Sequence, residues 1–582
     1  MSKTMKKYQI KRSSKSTQAE NPVVIVEADQ PLSQSMVWKL QADFYANQGP
    51  EAWIKGIVPQ YITTNPYIAN LYAKTVFGYC RDIASCEDFD RNTTIYILEL
   101  AAGVGRFTYT FLKRFLHILE NSSLKGLKFK YIITDLAERN VTYWRNHSYL
   151  EPYFESGLLD CATFDMTRDH ELHLSCSGEV LSAGNLHNPL ILFANYTFDS
   201  LPQDTFYVKD GELYEGLITV TSKDESVSSK NRIIGTEGGT IGSENRIVSL
   251  ENGAVSSENG TVDSENGTVD SKDHSILSGL DYSYSDRLIT GQDYYEESLI
   301  NDILLYYKSC LEDTAFSLPI AAIRCMERLR TLFNDDILLI STDKGYRDTF
   351  SMDKNYHPFL SKHGSISLTV NFHALELYFS KLGGKAIHSL YNHENVTMSS
   401  FFLSKRTHNF MEATLAYREI IEGIGPDDFF LIKKALVPHN KSLTTKELLT
   451  FLRYTVWDSR TFIEFYNTLL ERIDEEKDFP RDELVDVIQH IQELYFPIGE
   501  EGDLSYCLGS LLSYLGYDME AVELYNTSLE FYGEDASIYY EIAVCYYNVQ
   551  QTEIALAFIE KSLSLDPDYE ASLKLKGIIE EL

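Results

Sequence analysis

Residues 93–115 read TTIYILELAAGVGRFTYTFLKRF. From residue 94 to Leu100 the run is β-branched and apolar apart from one acid, Glu99; a loop of mostly small residues, Ala101-Ala102-Gly103-Val104-Gly105, follows, and helical spacing begins at Arg106. Strand, tight turn and helix in that order predict one unit of a parallel α/β sheet. Glycine lets a backbone approach a ligand closely, and the first turn of a helix offers unpaired N–H groups to a carboxylate or phosphate, so a nucleotide-like cofactor is expected at this loop. A dinucleotide site asks for G-x-G-x-x-G; Thr108 occupies the third position, which breaks the phosphate fingerprint and argues against nicotinamide chemistry.

The acid ahead of the loop, Glu99, resembles motif I of class I S-adenosylmethionine methyltransferases, and an anion there suits the cationic methionine end of that cofactor. The downstream spacing agrees. A second strand over 127–134 ends at Asp135, whose carboxylate can take both ribose hydroxyls. In CATFDMTR a third short strand delivers Asp165 toward an adenine amino group, with Met166 against the ring. As plain structural residues, Asp135 and Asp165 would each be a helix cap or a turn residue. The fourth strand lies in NPLILFANYTFDSLPQDTF, 188–206, and breaks at Asn195. Asn195 and Asp199 are the candidates to orient an acceptor nitrogen or accept its proton, and Asp199 alternatively caps a helix.

This last run is similar to the signature of the MidA-like methyltransferases, bacterial relatives of the mitochondrial complex I assembly methyltransferases, which reads approximately NExFDALP. The similarity continues in DILLISTDKGY at 336–346, HPFL at 357–360 and the stretch 364–404, and covers 36–221 and 281–405. The resemblance implies a Rossmann-like class I α/β fold with a mostly parallel seven-stranded sheet. It also implies S-adenosyl-L-methionine held by Glu99, Ala101, Gly103, Gly105, Asp135, Asp165 and Met166, no metal, and methyl transfer to a protein acceptor, arginine in that family. Tyr196 stands where the family motif carries an acid. The alternative to an enzyme is a methyltransferase-like scaffold without activity.

The sequence divides further. Residues 1–31 are charged and Ser-rich and read as a flexible arm; 32–221 and 276–408 read as the two parts of the α/β domain. Between them, 222–275 repeats ENR or ENG at 244, 251, 258 and 265, with a glycine and little apolar mass in each unit, so it reads as a disordered low-complexity insertion rather than a coiled coil. Residues 409–500 read as a helical connector. In 501–582 a period of 34 aligns Gly509, Ala543 and Gly577, which resembles the tetratricopeptide repeat and implies a protein partner.

Lys plus Arg total 52 against 85 Asp plus Glu, a net charge of −33, so nucleic acid is not an expected partner. Eight cysteines without a C-x-x-C pair, no apolar leader and no run of 18 apolar residues predict a cytoplasmic protein without a membrane span. His170 and His173 lack the i, i+4 spacing of helical zinc ligands. The oligomeric state stays open.

Overall fold

The structure is a computed structural model and describes residues 24–183, 186, 189–222, 276–291, 293–352, 360–362, 364–391, 395–405 and 410–581. The insertion over 223–275, HPFL apart from Leu360, and residues 1–23 of the expected arm lie outside them.

Seven strands form the central sheet: β1 (Ile95–Leu100), β2 (Phe129–Asp135), β3 (Leu159–Thr163), β4 (Leu190–Asn195), β5 (Ile337–Asp343), β6 (Lys385–His388) and β7 (Thr397–Leu403). Their order across the sheet is β6-β7-β5-β4-β1-β2-β3. Strands β1 to β5 run parallel, and β7 is antiparallel to both β5 and β6. Helices cover both faces, which explains why β1, β4 and β5 are almost continuously apolar rather than alternating. The chain leaves β1 toward β2 and β3 on one side, whereas β4 and β5 lie on the other. The tips of β1 and β4 therefore flank the crevice where such sheets bind ligands. The helix Pro66–Ala84 starts at Asn65, whose side chain accepts from Ile68 N at 3.0 Å, with Pro66 in the first position.

A second, antiparallel sheet departs from the sequence reading. Its path runs Val24–Pro31, Glu212–Ser222, Asp204–Lys209, Thr314–Leu318, and Leu280–Leu288 also pairs with Glu212–Ser222. The end of the expected flexible arm is thus a strand: Val24–Pro31 gains backbone partners along Glu212–Ser222, which offsets its weak apolar pattern. Ser222 pairs directly with Leu280, so the residues between leave and re-enter at adjacent points.

The connector is not a tether. Met411–Tyr417 crosses Pro66–Ala84 where Gly78 makes room; a Cβ there would lie 2.6 Å from the Glu412 carbonyl oxygen. Asp82 caps the crossing helix, accepting from Glu412 N at 3.1 Å and Ala413 N at 2.9 Å. Tyr67 stacks on Phe429 at 4.8 Å, and Ile421, Phe429, Val456, Leu494 and Phe496 share one buried core with Phe107, Phe111 and Phe193. The segment after helix Arg481–Leu494 straps the helix Arg106–Glu120 and its neighbour: Arg106 pairs with Glu500, and His147 bonds the Pro497 carbonyl at 2.8 Å while stacking on Phe496. The last five helices, Leu504–Tyr514 to Glu570–Glu580, pack in succession. Among the described residues, no helix is long and apolar enough to cross a membrane.

Two outcomes are expected. Deleting 223–275 with a short turn joining Ser222 to the Leu280 strand leaves the melting temperature within a few degrees, because loop closure depends only weakly on length; a larger drop means the insertion packs on the domain. Truncation after residue 440 strips Val456, Leu494 and Phe496 from the shared core and collapses the soluble yield; a soluble fragment ending there contradicts the single-core account.

Candidate functional site

A cavity of about 330 Å³ opens at the carboxyl tips of β1, β2 and β4. Its walls include Glu99, Ala101, Gly103, Asp135, Asp165, Met166 and Asn195, so seven of the nine expected site residues meet there. The roof comes from the N-terminal helices. Tyr45 and Trp53 stack at 5.7 Å, and Gln41 anchors the helix Met36–Gln48 by donating to the Ser200 carbonyl at 3.0 Å and accepting from Ile366 N at 2.5 Å.

Glu99 is 4% exposed. Its Oε2 accepts from the Thr108 hydroxyl at 2.5 Å and the Tyr131 hydroxyl at 2.6 Å. Burial pushes its pKa up to about 7, against the lowering effect of those two bonds. Thr108, read from sequence as a missing glycine, is fully buried and serves this carboxylate. Tyr131, on β2, was not singled out; the signal available was a hydroxyl-bearing ring at a buried position of the strand beside Glu99.

Asp135 ties β2 to the loop. One oxygen accepts from Gly103 N at 3.1 Å and the other from Ala137 N at 2.9 Å. Burial raises its pKa, and the backbone bonds from Ala137 and Gly103 oppose the rise. Each oxygen keeps a further lone pair for a ligand hydroxyl. Gly103 has φ +59, and a Cβ there would meet the Trp53 ring at 3.1 Å. Ala101 holds φ +50 in the same turn, a strained conformation for a residue with a side chain.

Two expected site residues stand elsewhere. Gly105, at φ +82, initiates the helix Arg106–Glu120, and a Cβ there would press on Trp144 at 3.2 Å and Ile133 at 3.3 Å; its small size serves packing, not the cavity. Asp199 lies behind the cavity wall against Asp343, the last residue of β5, with Asp199 N donating to Asp343 Oδ2 at 3.2 Å and Ser200 Oγ to Asp199 Oδ1 at 2.9 Å. Burial lifts Asp199 to about 6 and Asp343 well above the carboxylate range, so the pair holds a proton near neutral pH. Asp343, within DILLISTDKGY, was not singled out because its partner Asp199 lies on a distant stretch of the chain.

Asp165 lines the cavity, but its Oδ1 takes both Thr167 N at 2.8 Å and Thr167 Oγ1 at 2.6 Å, and its Oδ2 faces Arg168 at 3.1 Å. That is a self-contained turn. Tyr72 bonds Asn195 Oδ1 and Thr342, leaving Asn195 Nδ2 buried without a protein partner. Tyr196 lines the cavity at φ +48. Away from the site, the ligand atoms of Asp160, Cys161 and Cys176 cluster within 4.8 Å of one another. The Asp160 carboxylate is already engaged by Cys161 N, Cys176 N, Ser177 N and Lys130.

No family model and no curated protein matches the chain. Two solved structures from Burkholderia thailandensis are similar to it: an uncharacterized protein, and a candidate methyl transferase bound to S-adenosyl-homocysteine. Each is 11% identical, with a TM-score of 0.31, covering 67% of this chain and 88% of the other. That likeness is too slight to bear on function, which rests on the cavity.

Glu99 gives a pH-dependent expectation. A folded pKa raised from 4.5 to about 7 favours the folded state below pH 4.5, and that contribution is lost as pH rises through 7. At about 1.4 kcal/mol per pH unit the cost approaches roughly 3 kcal/mol in alkali. Glu99→Gln therefore raises the melting temperature of the ligand-free protein by several degrees at pH 8 and hardly at all at pH 4.5. Equal effects at both pH values would mean that Glu99 is not held near neutrality.

Proposed function

We propose that the chain is a class I S-adenosyl-L-methionine-dependent methyltransferase acting on a protein nitrogen, with arginine the acceptor the sequence resemblance favours. The observation that carries this is the meeting of Glu99, Gly103 and Asp135 around one cavity at the switch point of a mostly parallel seven-stranded sheet, with Asn195 opposite. The residues fit the cofactor. Gly103 leaves open a passage that a Cβ would crowd against Trp53, Glu99 is a buried carboxylate with no cationic partner among the described residues, and Asn195 Nδ2 is an orphaned buried donor.

The bound cofactor would supply a methyl on an already activated sulfonium, so the protein's share is positioning and exclusion of water. Glu99 holds the α-ammonium, with Thr108 and Tyr131 fixing its carboxylate. Asp135 receives the ribose hydroxyls on lone pairs its backbone bonds leave free. Phe164 and Met166 form the apolar wall for the adenine, and Asp165 shapes the turn that presents them. Asn195, oriented by Tyr72, offers Nδ2 to the acceptor side. The Asp199–Asp343 pair lies behind the cavity wall and acts on the acceptor side only through its charge, so the acceptor's proton leaves to solvent. The C-terminal helices, whose 34-residue spacing matches the tetratricopeptide repeat, dock the protein that carries the acceptor.

A second reading has one observation in its favour. Tyr196 takes the place of the family acid and is held at φ +48 in the cavity wall, which suits a scaffold that binds cofactor without transferring. Calorimetry with S-adenosylmethionine, together with transfer of labelled methyl into cell extract, separates the two. Binding with labelled protein supports the enzyme and overturns the scaffold; binding without transfer, or no binding, supports the scaffold and overturns the enzyme.

Within the binding measurement, Asp135→Asn keeps the size of the side chain but loses the charge-assisted acceptor, worth roughly 1.5–3 kcal/mol, so affinity falls by about tenfold or more. Unchanged affinity would return Asp135 to a purely structural role.

A further inference from the structure

Away from the cavity, the C-terminal helices hold an unpaired acid. Helices Ser459–Glu475, Leu504–Tyr514, Ala536–Asn548 and Glu570–Glu580 pack each on the next and form one inner face. Glu541 stands on that face, half-buried, on the third of them. Five tyrosines are close enough to feel its charge: Tyr466, Tyr506, Tyr525, Tyr540 and Tyr569. They come from every layer. Tyr466, Tyr506 and Tyr540 lie on the first three helices and Tyr569 precedes the fourth, while Tyr525 reaches in from Asp518–Tyr532 behind them. Tyr506 and Tyr525 have ring centroids 5.9 Å apart at 48°, and Tyr540 and Tyr569 5.8 Å apart at 64°.

Two features mark this as more than packing. Among the described residues no lysine, arginine or histidine pairs with Glu541, although burial lifts its pKa above the usual carboxylate value. Independently, the Tyr525 hydroxyl is fully buried, faces the same acid and has no hydrogen-bond partner. A half-buried carboxylate and a buried hydroxyl without partners each cost stability, and an apolar pair would fill the space better. A cation seated there would meet a counter-ion and several ring faces at once.

We propose that this inner face is a binding site for a lysine or arginine side chain presented by a basic segment of a partner protein, with Glu541 as counter-ion and the half-buried Tyr466, Tyr506, Tyr540 and Tyr569 as an aromatic wall. The chain's net charge of −33 steers such a segment toward it. This deepens the docking role given above to the C-terminal helices and is independent of whether methyl is transferred.

The test uses the full chain and a fluorescently labelled arginine-glycine peptide, with its citrulline counterpart as the neutral control, read by anisotropy at physiological salt. The arginine peptide binds and the citrulline peptide does not. Glu541→Gln weakens binding by about tenfold or more without lowering the melting temperature. Glu553→Gln, which removes the same charge from an exposed position on helix Thr552–Leu565, leaves binding unchanged. The proposal is overturned if the wild type binds neither the arginine peptide nor a lysine-glycine one, if Glu541→Gln binds equally well, or if both glutamine variants weaken binding alike. A protein without methyl transfer still gives this measurement in full.

Discussion

Glu99 sits at the end of a strand buried on both faces, and its carboxylate must find partners there or lose its charge. Thr108 from the following helix and Tyr131 from the neighbouring strand supply them, on one oxygen. Because these donors come from β1's own helix and from β2, satisfying one side chain fixes the strand tip, the turn after it and the adjacent strand together. Thr134 adds a bond to the Glu99 carbonyl at 2.7 Å, and Asp135 returns to Gly103 N. The loop that lines the cavity is therefore held from below by a network whose central acid is poised near neutrality. Such a site is unstable by construction and suited to a cation.

The C-terminal helices continue this support. Arg106 begins the helix that carries Thr108, and its partner Glu500 ends the connector, so the strap from 493 to 500 backs the same turn from outside. His147, whose pKa burial pushes down to about 4, stays neutral against Pro497 and Phe496 and adds packing rather than charge. The sheet and the connector thus share one core, while the array packs around cores of its own and meets the sheet domain where Phe531 contacts His147 and Tyr149.

The parts of this fold that were legible in sequence are those with local chemistry. The strand, small-residue loop and helix around Glu99, the acid ending β2 and the break at Asn195 each announce themselves within a dozen residues. The antiparallel sheet was not legible. Its strands are short or half-exposed, and the bond from Asp29 N to Thr219 spans 190 residues, beyond any periodicity. Gly105 was placed at the cavity, and the role of Thr108 was not foreseen, for a common reason: motif spacing gives the position of a small or polar residue but not which way it faces. Gly105 turns to Trp144, and Thr108 to Glu99. The pairing of Asp199 with Asp343 required the register of β4 with β5, which no single stretch of sequence contains.

The central claim is that Glu99 is protonated in large part until a cation arrives. Titration calorimetry with S-adenosylmethionine at pH 6, repeated in buffers of different ionisation enthalpy, reads this directly. With a pKa of about 7 in the free protein, binding should release close to one proton, and affinity should rise with pH through that range. The Glu99→Gln protein should release almost none. Equal proton release from both proteins, or none from either, would contradict the account.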